Sequence, residues 1–283
     1  MTRLTEDDVR GLMRRLTAFE ADLRAVSGLT LRALAQRTVD IDRALANGED
    51  PTAGARVTAP VPFDGARTAA VPLSTGEGVI PGFCECVAAV LRHLGCAARV
   101  TAQSDVRGLQ EAADAGERVL FLADDIRFIA LDVHRGRAVD DDPATADGYV
   151  TALAAAAGGL DRRPVLLLGL GPVGRAAGRR LLALGARLLV VERDDAATAH
   201  AQERGLVFER VDLADGLAAC DLVYDATPAA DIVTADDLRP EALVAAPGVP
   251  PALDVGARAA LGVRHIHEPL AVGVAVMAAR ALA

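Results

Sequence analysis

Val9, Leu12, Met13, Leu16, Phe19, Leu23 and Val26 recur at the three- and four-residue spacing of one helix face. That period predicts a long amphipathic helix at the start of the chain, with Thr5 as N-cap, Asp8 three residues on, and Ser27-Gly28 as its end. From about residue 36 to 70 the pattern dissolves into Pro, Gly, Asp and Ala, and a long surface connection with a single helical turn is expected. Regular patterning then returns as a short strand at 70–73, a helix over 83–94 closed by Gly95, a strand at 98–102, a helix over 106–115 capped by Ser104 or Asp105, and a strand at 118–123. This β-α-β-α-β order predicts a small parallel sheet in the N-terminal half. Residues 128–139, turning at Arg135-Gly136, read as a hairpin, and the Ala-rich stretch 145–157 reads as a helix joining the two halves.

The second half opens on a buried-strand run at 165–168, followed by a glycine loop, a helix over 173–184, a strand at 187–191 and later strands near 221–224, 243–246 and 264–266. The expected fold class is α/β, a C-terminal Rossmann-type doubly wound parallel sheet plus a smaller N-terminal α/β domain. Residues 1–144 are expected to form the N-terminal substrate-binding domain, 145–162 the linking helix, and 163–283 the Rossmann domain with its C-terminal helix.

The segment VLLLGLGPVG places Gly169, Gly171 and Gly174 directly after a strand and at the opening of a helix that starts Pro172-Val173. Gly169 permits the tight turn, Gly171 the close approach of a pyrophosphate, and Gly174 the close crossing of helix and strand. Such a spacing alone often marks a simple turn. Here the next strand ends in Glu192, 18 residues beyond Gly174, where an acid accepts hydrogen bonds from the adenosine ribose. The expected cofactor is therefore NAD. The charge of Glu192 repels a 2′-phosphate, while the neighbouring Arg193 leaves NADP open. Asp225-Ala226-Thr227-Pro228 and Pro247-Gly248 also follow strands, where they line the nicotinamide half of the crevice or serve as ordinary loops.

Composition narrows the chemistry. The 283 residues are 52% hydrophobic but only 3% aromatic, with no Trp, which suits Leu, Val and Ala helices packed on parallel strands. A net charge of −9 with no basic run argues against nucleic acid and anionic membranes as partners. The polar, acidic N-terminus and the lack of an apolar run of spanning length point to a cytoplasmic location. Cys84, Cys86, Cys96 and Cys220 lack zinc-site spacing and read as reduced core thiols. All 30 basic residues are Arg, so a P-loop Lys, a Schiff-base Lys and a catalytic Lys are excluded. Proton chemistry must use carboxylates, His, hydroxyls or water.

Three further segments are candidates to face the nicotinamide. Asp124-Asp125 follows a strand end, where α/β sheets present reacting groups, although a turn-capping Asp is the plain alternative. The loop Ser74-Thr75-Gly76-Glu77-Gly78 runs into a helix and suits a carboxylate or an amine, or is only a turn. In His265-Ile266-His267-Glu268-Pro269 the two His share a strand face, but no third ligand suggests itself and no metal is expected. Glu268, beside a helix N-terminus, is the better candidate for holding a substrate ammonium.

LTEDDV, VPLSTGEGVI, VLFLADD, VLLLGLGPVG, DATPAADIV, APGVP and HEPLAVGVAVM, in that order, resemble the dehydrogenases that complete pyrrolysine biosynthesis, the PylD family. The resemblance covers nearly the whole chain outside residues 36–70 and implies a two-domain NAD enzyme with its site between the domains. It further implies a substrate that is an isopeptide of 3-methylornithine and lysine, hydride removal from the carbon bearing the terminal amine, and ring closure to a pyrroline. Carried over by motif, Thr75 bears a substrate-binding hydroxyl, Asp124 acts beside the reacting amine, Glu268 makes a second substrate contact, and Leu4 helps close the site. Ser74 and Glu77 belong to the same substrate loop, and Asp124 and Glu268 are the implied catalytic acids. Ser74-Thr75 inverts the family's hydroxyl order, and PGFCEC stands where more serines are expected. Read from the residues alone, a dehydrogenase of another amine or amino acid and a non-catalytic NAD-binding redox sensor are the alternatives. A homodimer is suggested by the apolar face of the first helix.

Overall fold

The computed structural model describes residues 6–52 and 59–283, the side chains of residues 6–14 aside. Leu4, Thr5 and the side chains of Asp8, Val9, Leu12 and Met13 lie outside that set.

Helix α1 (Glu6–Ser27) ends at Gly28, whose φ of +73° suits a residue without a Cβ. Its buried Leu16, Phe19 and Leu23 pack into the core of the same chain, on the side where the helices at 83–93 and 141–156 lie against it. The apolar face that suggested a dimer is therefore covered from within the chain over its described part. Helix α2 (Leu31–Ala46) is the largest departure from the sequence reading, since it occupies much of the expected surface connection. Thr30 caps it by accepting from the Ala33 N–H at 3.0 Å. Leu31, Leu34, Ala35, Val39 and Ile41 are buried, while Arg and Asp residues interrupt the stripe.

The first sheet is built from β1 (Arg67–Val71), β2 (Ala97–Val100), β3 (Val119–Ala123), β4 (Phe128–Asp132) and β5 (Arg137–Asp140), in the spatial order β2-β1-β3-β4-β5. The first three are parallel, with α3 (Phe83–His93) and α4 (Asp105–Asp114) as crossovers, and β3-β4-β5 form an antiparallel meander. The expected hairpin at 128–139 is present. Cys84, Cys86, Cys96 and Cys220 are all buried, and none of them is in a disulfide. Burial pushes the thiols of Cys84, Cys96 and Cys220 up to about 12, 11 and 11, which keeps them protonated and unreactive.

Helix α5 (Asp141–Ala156) starts directly at the end of β5, four residues before the expected boundary, with Asp140 as N-cap accepting from the Asp142 N–H at 3.0 Å. The second sheet follows: β6 (Pro164–Leu168), α6 (Pro172–Ala183), β7 (Arg187–Val191), α7 (Asp195–Glu203), β8 (Glu209–Arg210), α8 (Leu213–Ala219), β9 (Leu222–Asp225), β10 (Leu243–Ala245), α9 (Val255–Leu261) and β11 (His265–Ile266). All six strands are parallel in the order β11-β10-β9-β6-β7-β8, the Rossmann arrangement, so the connections reverse direction between β6 and β9.

The last helix, α10 (Ala271–Leu282), is buried on nearly every side, as its uniformly apolar sequence requires. Burial of Val272, Val274, Val276, Met277 and Leu282 contributes about 1.5–3 kcal/mol per side chain. This helix returns to the first half of the chain, touching α2, α3 and α5 and the strands β3, β4 and β5. Helix α5 touches strands of both sheets, so α5 and α10 form the layer between them. A buried ion network locks this layer. Arg180 on α6 and Arg280 on α10 share Asp42 on α2 and Asp147 on α5, with Arg180–Asp147 at 2.9 Å and Arg280 Nε–Asp42 at 2.8 Å.

Candidate functional site

The crevice between β6 and β9 is shaped by glycines. Gly169 has φ +89°, and a Cβ on it would stand 3.0 Å from the Ala226 carbonyl oxygen. A Cβ on Gly174 would stand 2.1 Å from the Gly169 carbonyl oxygen, so helix and strand cross too closely for any side chain. Gly171, by contrast, has nothing within 4 Å of such a Cβ, which leaves its backbone open to a ligand. No side chain caps the α6 N-terminus, where Pro172 occupies the first turn. Free N–H groups and the helix dipole there favour a phosphate.

Glu192, after β7, accepts from the Leu170 N–H at 2.7 Å through Oε2 and from the Asp194 N–H at 2.9 Å through Oε1. It therefore braces the glycine loop as well as facing the cavity beyond it. That open cavity of about 1260 Å³ is lined by Gly171, Glu192, Arg193, Asp212 and Thr227, among others. Arg210 bonds the Glu192 carbonyl at 2.8 Å and pairs with Asp195, forming the cavity's outer rim. The arrangement is able to hold the adenosine and pyrophosphate of a dinucleotide.

A second cavity, of about 320 Å³, adjoins the first at Gly171 and Ala226-Thr227-Pro228 and lies where the nicotinamide half would extend. Pro172, Val173, Pro247 and Gly248 line it on the Rossmann side. Asp225, buried at the end of β9, ties these loops together by accepting from the Thr227 N–H at 3.1 Å and the Ala252 N–H at 2.7 Å. Burial pushes its carboxyl up to about 6 against those two donors. A Cβ on Gly248 would stand 2.6 Å from the Thr227 carbonyl oxygen, so the two loops meet backbone to backbone. The opposite wall is the start of α5, which contributes Asp141, Asp142 and Thr145. The sequence reading overlooked Asp141, whereas Asp225 was expected at this strand end but without its bracing role. The acidic run Asp140-Asp141-Asp142 ahead of an Ala-rich helix was the available signal for the first.

A third, smaller cavity of about 60 Å³ shares Phe83 and Phe128 with the second and is lined by Val79, Ile80, Cys84 and Asp124. Asp124 Oδ1 accepts from the Ile126 and Arg127 N–H groups, both at 2.7 Å, across the tight β3–β4 turn. Those donors, Arg127 first, hold its carboxyl below the usual carboxylate range. Asp125 accepts from the Glu77 N–H at 2.7 Å and so fastens the 74–78 loop to this turn. Ser74 donates its hydroxyl to Asp105 at 2.8 Å, and its N–H bonds the same carboxylate. Ser74, Thr75 and Glu77 are exposed, and it is the flanking Leu73, Gly78, Val79 and Ile80 that form the cavity wall.

Glu268 is buried. Its Oε2 accepts from the Leu270 N–H at 3.0 Å and from the Ala271 N–H, which begins α10, while Oε1 has no partner among the described residues. Burial pushes its carboxyl up against those bonds. Pro269 and Leu270 line the cleft, whereas Glu268 itself lines a separate pocket beneath α1 with Arg15, Phe19 and Asp22. His265 and His267 stack at 5.3 Å, and burial holds His265 down to about 3. Among the described residues no group of three or more His, Cys, Asp or Glu is placed to hold a metal ion. Likewise, no described helix is long and apolar enough to cross a membrane.

Residues 20–139, from α1 to the end of β5, match the family model "Pyrrolysine biosynthesis protein PylD, N-terminal domain". Over nearly the full length, the chain is 26% identical to a pyrrolysine synthase of Methanosarcina acetivorans, with 98% of each chain covered. The chain is thus similar to the PylD family, through its N-terminal domain and along its length. A pyrrolysine synthase of Methanosarcina barkeri is 25% identical over 98% of this chain and 97% of its own. Among solved structures, a quinate dehydrogenase of Corynebacterium glutamicum in complex with NAD superposes with a TM-score of 0.51 at 16% identity, covering 77% of this chain and 93% of its own. That likeness bears on the fold and agrees with the Rossmann strand order. The stretch similar to that N-terminal domain contains the loops at 73–80 and 124–127, and the glycine loop lies beyond it in the second sheet.

Proposed function

We propose that this chain oxidises the terminal amine of a 3-methylornithine–lysine isopeptide with NAD as acceptor, and that the product closes to the pyrroline ring of pyrrolysine. The observation that carries the reading is the continuous crevice that runs from the glycine loop, past Ala226–Pro228, to the acid-bearing wall at the start of α5. Similarity over 98% of the chain to proteins named pyrrolysine synthase supports the choice of substrate.

The residues fit NAD. Gly169, Gly171, Pro172, Val173 and Gly174 would hold the pyrophosphate, Glu192 and Arg193 would meet the adenosine ribose, and Ala226, Thr227, Pro228, Pro247 and Gly248 would bound the nicotinamide half. When bound, NAD supplies a hydride acceptor. Asp124, with the 74–78 loop that Asp125 holds against it, would receive the substrate from the N-terminal side. Glu268 would act from its buried seat by fixing Leu270 at the cleft wall. Proline, glycine and phenylalanine make up much of the wall, and a substrate that displaced water from it would strengthen the charge contacts made within the cleft.

The test is incubation of the purified protein with NAD and the synthetic isopeptide, followed at the NADH absorbance and by mass spectrometry of the product. A product with the mass of pyrrolysine is expected. NADH formed from some other amine of a panel, and not from the isopeptide, would move the chain to a different substrate, and dinucleotide binding without turnover on any amine would leave a redox sensor.

A further inference from the structure

The cleft bounded by the strand ends of the second sheet and the start of α5 contains two ionisable lining residues among those described, Asp141 and Asp142. The remainder of its lining is Gly, Pro, Ala, Val, Leu and Phe with two threonines. Asp142 is the looser of the two, since no side-chain hydrogen bond from the described residues fixes it in this wall. Asp141 is held. Its Oδ1 accepts from the Thr145 hydroxyl at 3.0 Å, one turn along the same helix. It also sits against Gly273 of α10, where a Cβ would stand 2.4 Å from Oδ1 and 2.3 Å from the Thr145 hydroxyl. The seat for this carboxylate therefore exists because α10 carries a glycine at that point.

We propose that Asp141 binds the substrate's terminal ammonium in this cleft and accepts its proton. The assignment rests on the function proposed above and deepens it. An ammonium carbon cannot release hydride while its nitrogen keeps the extra proton, so a base must stand beside the nitrogen. In the step assigned to Asp141 the N–H bond breaks, an O–H bond forms on the carboxylate, and the neutral amine keeps the lone pair. No electrons change hands, and the proton passes to solvent when the product leaves.

Two features suit Asp141 to this task. No arginine pairs with it among the described residues, whereas its neighbour Asp140 pairs with Arg127, so a substrate cation would supply the missing countercharge. Burial pushes its carboxyl up to about 7, aided by Asp142 and Asp140 and opposed by the Thr145 hydroxyl, which matches a base working near neutral pH. Asp124, at the turn, is held low by two backbone donors and is the weaker base of the two. Among the described residues, the charged and titratable groups that act on Asp141 are Asp140 and Asp142 on its own helix start and Tyr149 farther along; Arg127 from the β3–β4 turn and Arg175 from α6 act on Asp142, and Glu268 before α10 acts on Tyr149.

The decisive experiment compares wild type with Asp141→Asn, in which the Thr145 bond can persist, and with Thr145→Val. Steady-state rates with NAD and the isopeptide from pH 5 to 9 are expected to show a rise through about pH 7 in the wild type. In Asp141→Asn kcat/KM should fall about 100-fold or more and that rise should vanish. In Thr145→Val the rise should move to higher pH, a shift that a purely structural role for Thr145 would not produce. A second readout needs no turnover. Calorimetric titration with 1,5-diaminopentane, with and without saturating NADH, should show binding to the wild type that is about tenfold weaker in Asp141→Asn. Equal diamine affinity in wild type and Asp141→Asn, or turnover within threefold of wild type with the pH rise intact, overturns the assignment. If the wild type oxidises no amine but binds the diamine through Asp141, the proposed function fails while the ammonium site stands. If it neither turns over nor binds the diamine, both fail.

Discussion

The Tyr149 hydroxyl clasps the backbone of Glu268 from both sides, accepting from its N–H at 2.7 Å and donating to its carbonyl at 2.5 Å. Through this contact the linking helix α5 fixes the segment that leads into α10 and along the cleft wall. Tyr149→Phe removes both bonds and strands a buried N–H, so it should cost about 1–3 kcal/mol in urea unfolding. Tyr224→Phe loses a single longer bond, 3.2 Å to the Ala146 carbonyl, and should cost less. Equal losses in the two variants would show that the double clasp adds nothing.

Glu192 braces Leu170 and fronts the large cavity, so its removal should act twice. Glu192→Ala is expected to weaken NAD binding about tenfold, close to 1.4 kcal/mol, and to shift the preference toward NADP as the repelling charge disappears. Calorimetry with both dinucleotides checks this, and an equal loss for the two would deny Glu192 a part in reading the ribose. Gly174→Ala, with a methyl forced to 2.1 Å from the Gly169 carbonyl oxygen, should abolish dinucleotide binding and lower the melting temperature.

Asp141 makes stability depend on pH with a definite sign. Its folded value is raised from 3.8 to about 7, so the folded protein holds this proton over a range in which the unfolded chain has released it. The group costs nothing below about pH 4, costs progressively more up to about pH 7, and levels off above. Asp141→Asn should therefore melt with the wild type at pH 4 and above it at pH 8, read by scanning calorimetry. Asp225 and Glu268, also raised by burial, are common to both proteins and cancel in the difference.

Asp147 receives both Arg180 and Arg280 in the layer between the sheets. Asp147→Ala leaves two buried guanidinium groups sharing Asp42 and should cost about 3–5 kcal/mol. The double variant Asp147→Leu with Arg180→Met removes the charges together and should cost distinctly less, since the penalty arises from the charge left unpaired. Additive costs in denaturant unfolding would contradict this account.

The glycine loop was legible in the sequence because each of its requirements is local. A left-handed φ at Gly169, an open backbone at Gly171 and the missing Cβ at Gly174 act within a few residues of one another. Helix α2 was illegible for the opposite reason. Its Asp42 interrupts the apolar stripe, and its partners, Arg180 and Arg280, lie 138 and 238 positions away along the chain. Asp124 was legible as a residue at a strand end, but its engagement with the Ile126 and Arg127 N–H groups depends on the geometry of the turn. Glu268 showed in the sequence as an acid beside a helix start, and burial beneath α1 and the bond to Tyr149 decided which way it faces.

By itself the sequence determined the two-sheet α/β plan, the strand–loop–helix with its acid at position 192, and the exclusion of lysine chemistry, because hydrophobic period, backbone freedom and residue type are properties of short stretches of chain. Only the tertiary structure decided that α10 returns to seat Asp141 against Gly273, and that the acids in the cleft wall come from the start of α5. The physical reason is that burial, close approach and shared charge are set by residues distant along the chain, which come together only when the two sheets close on the helices between them.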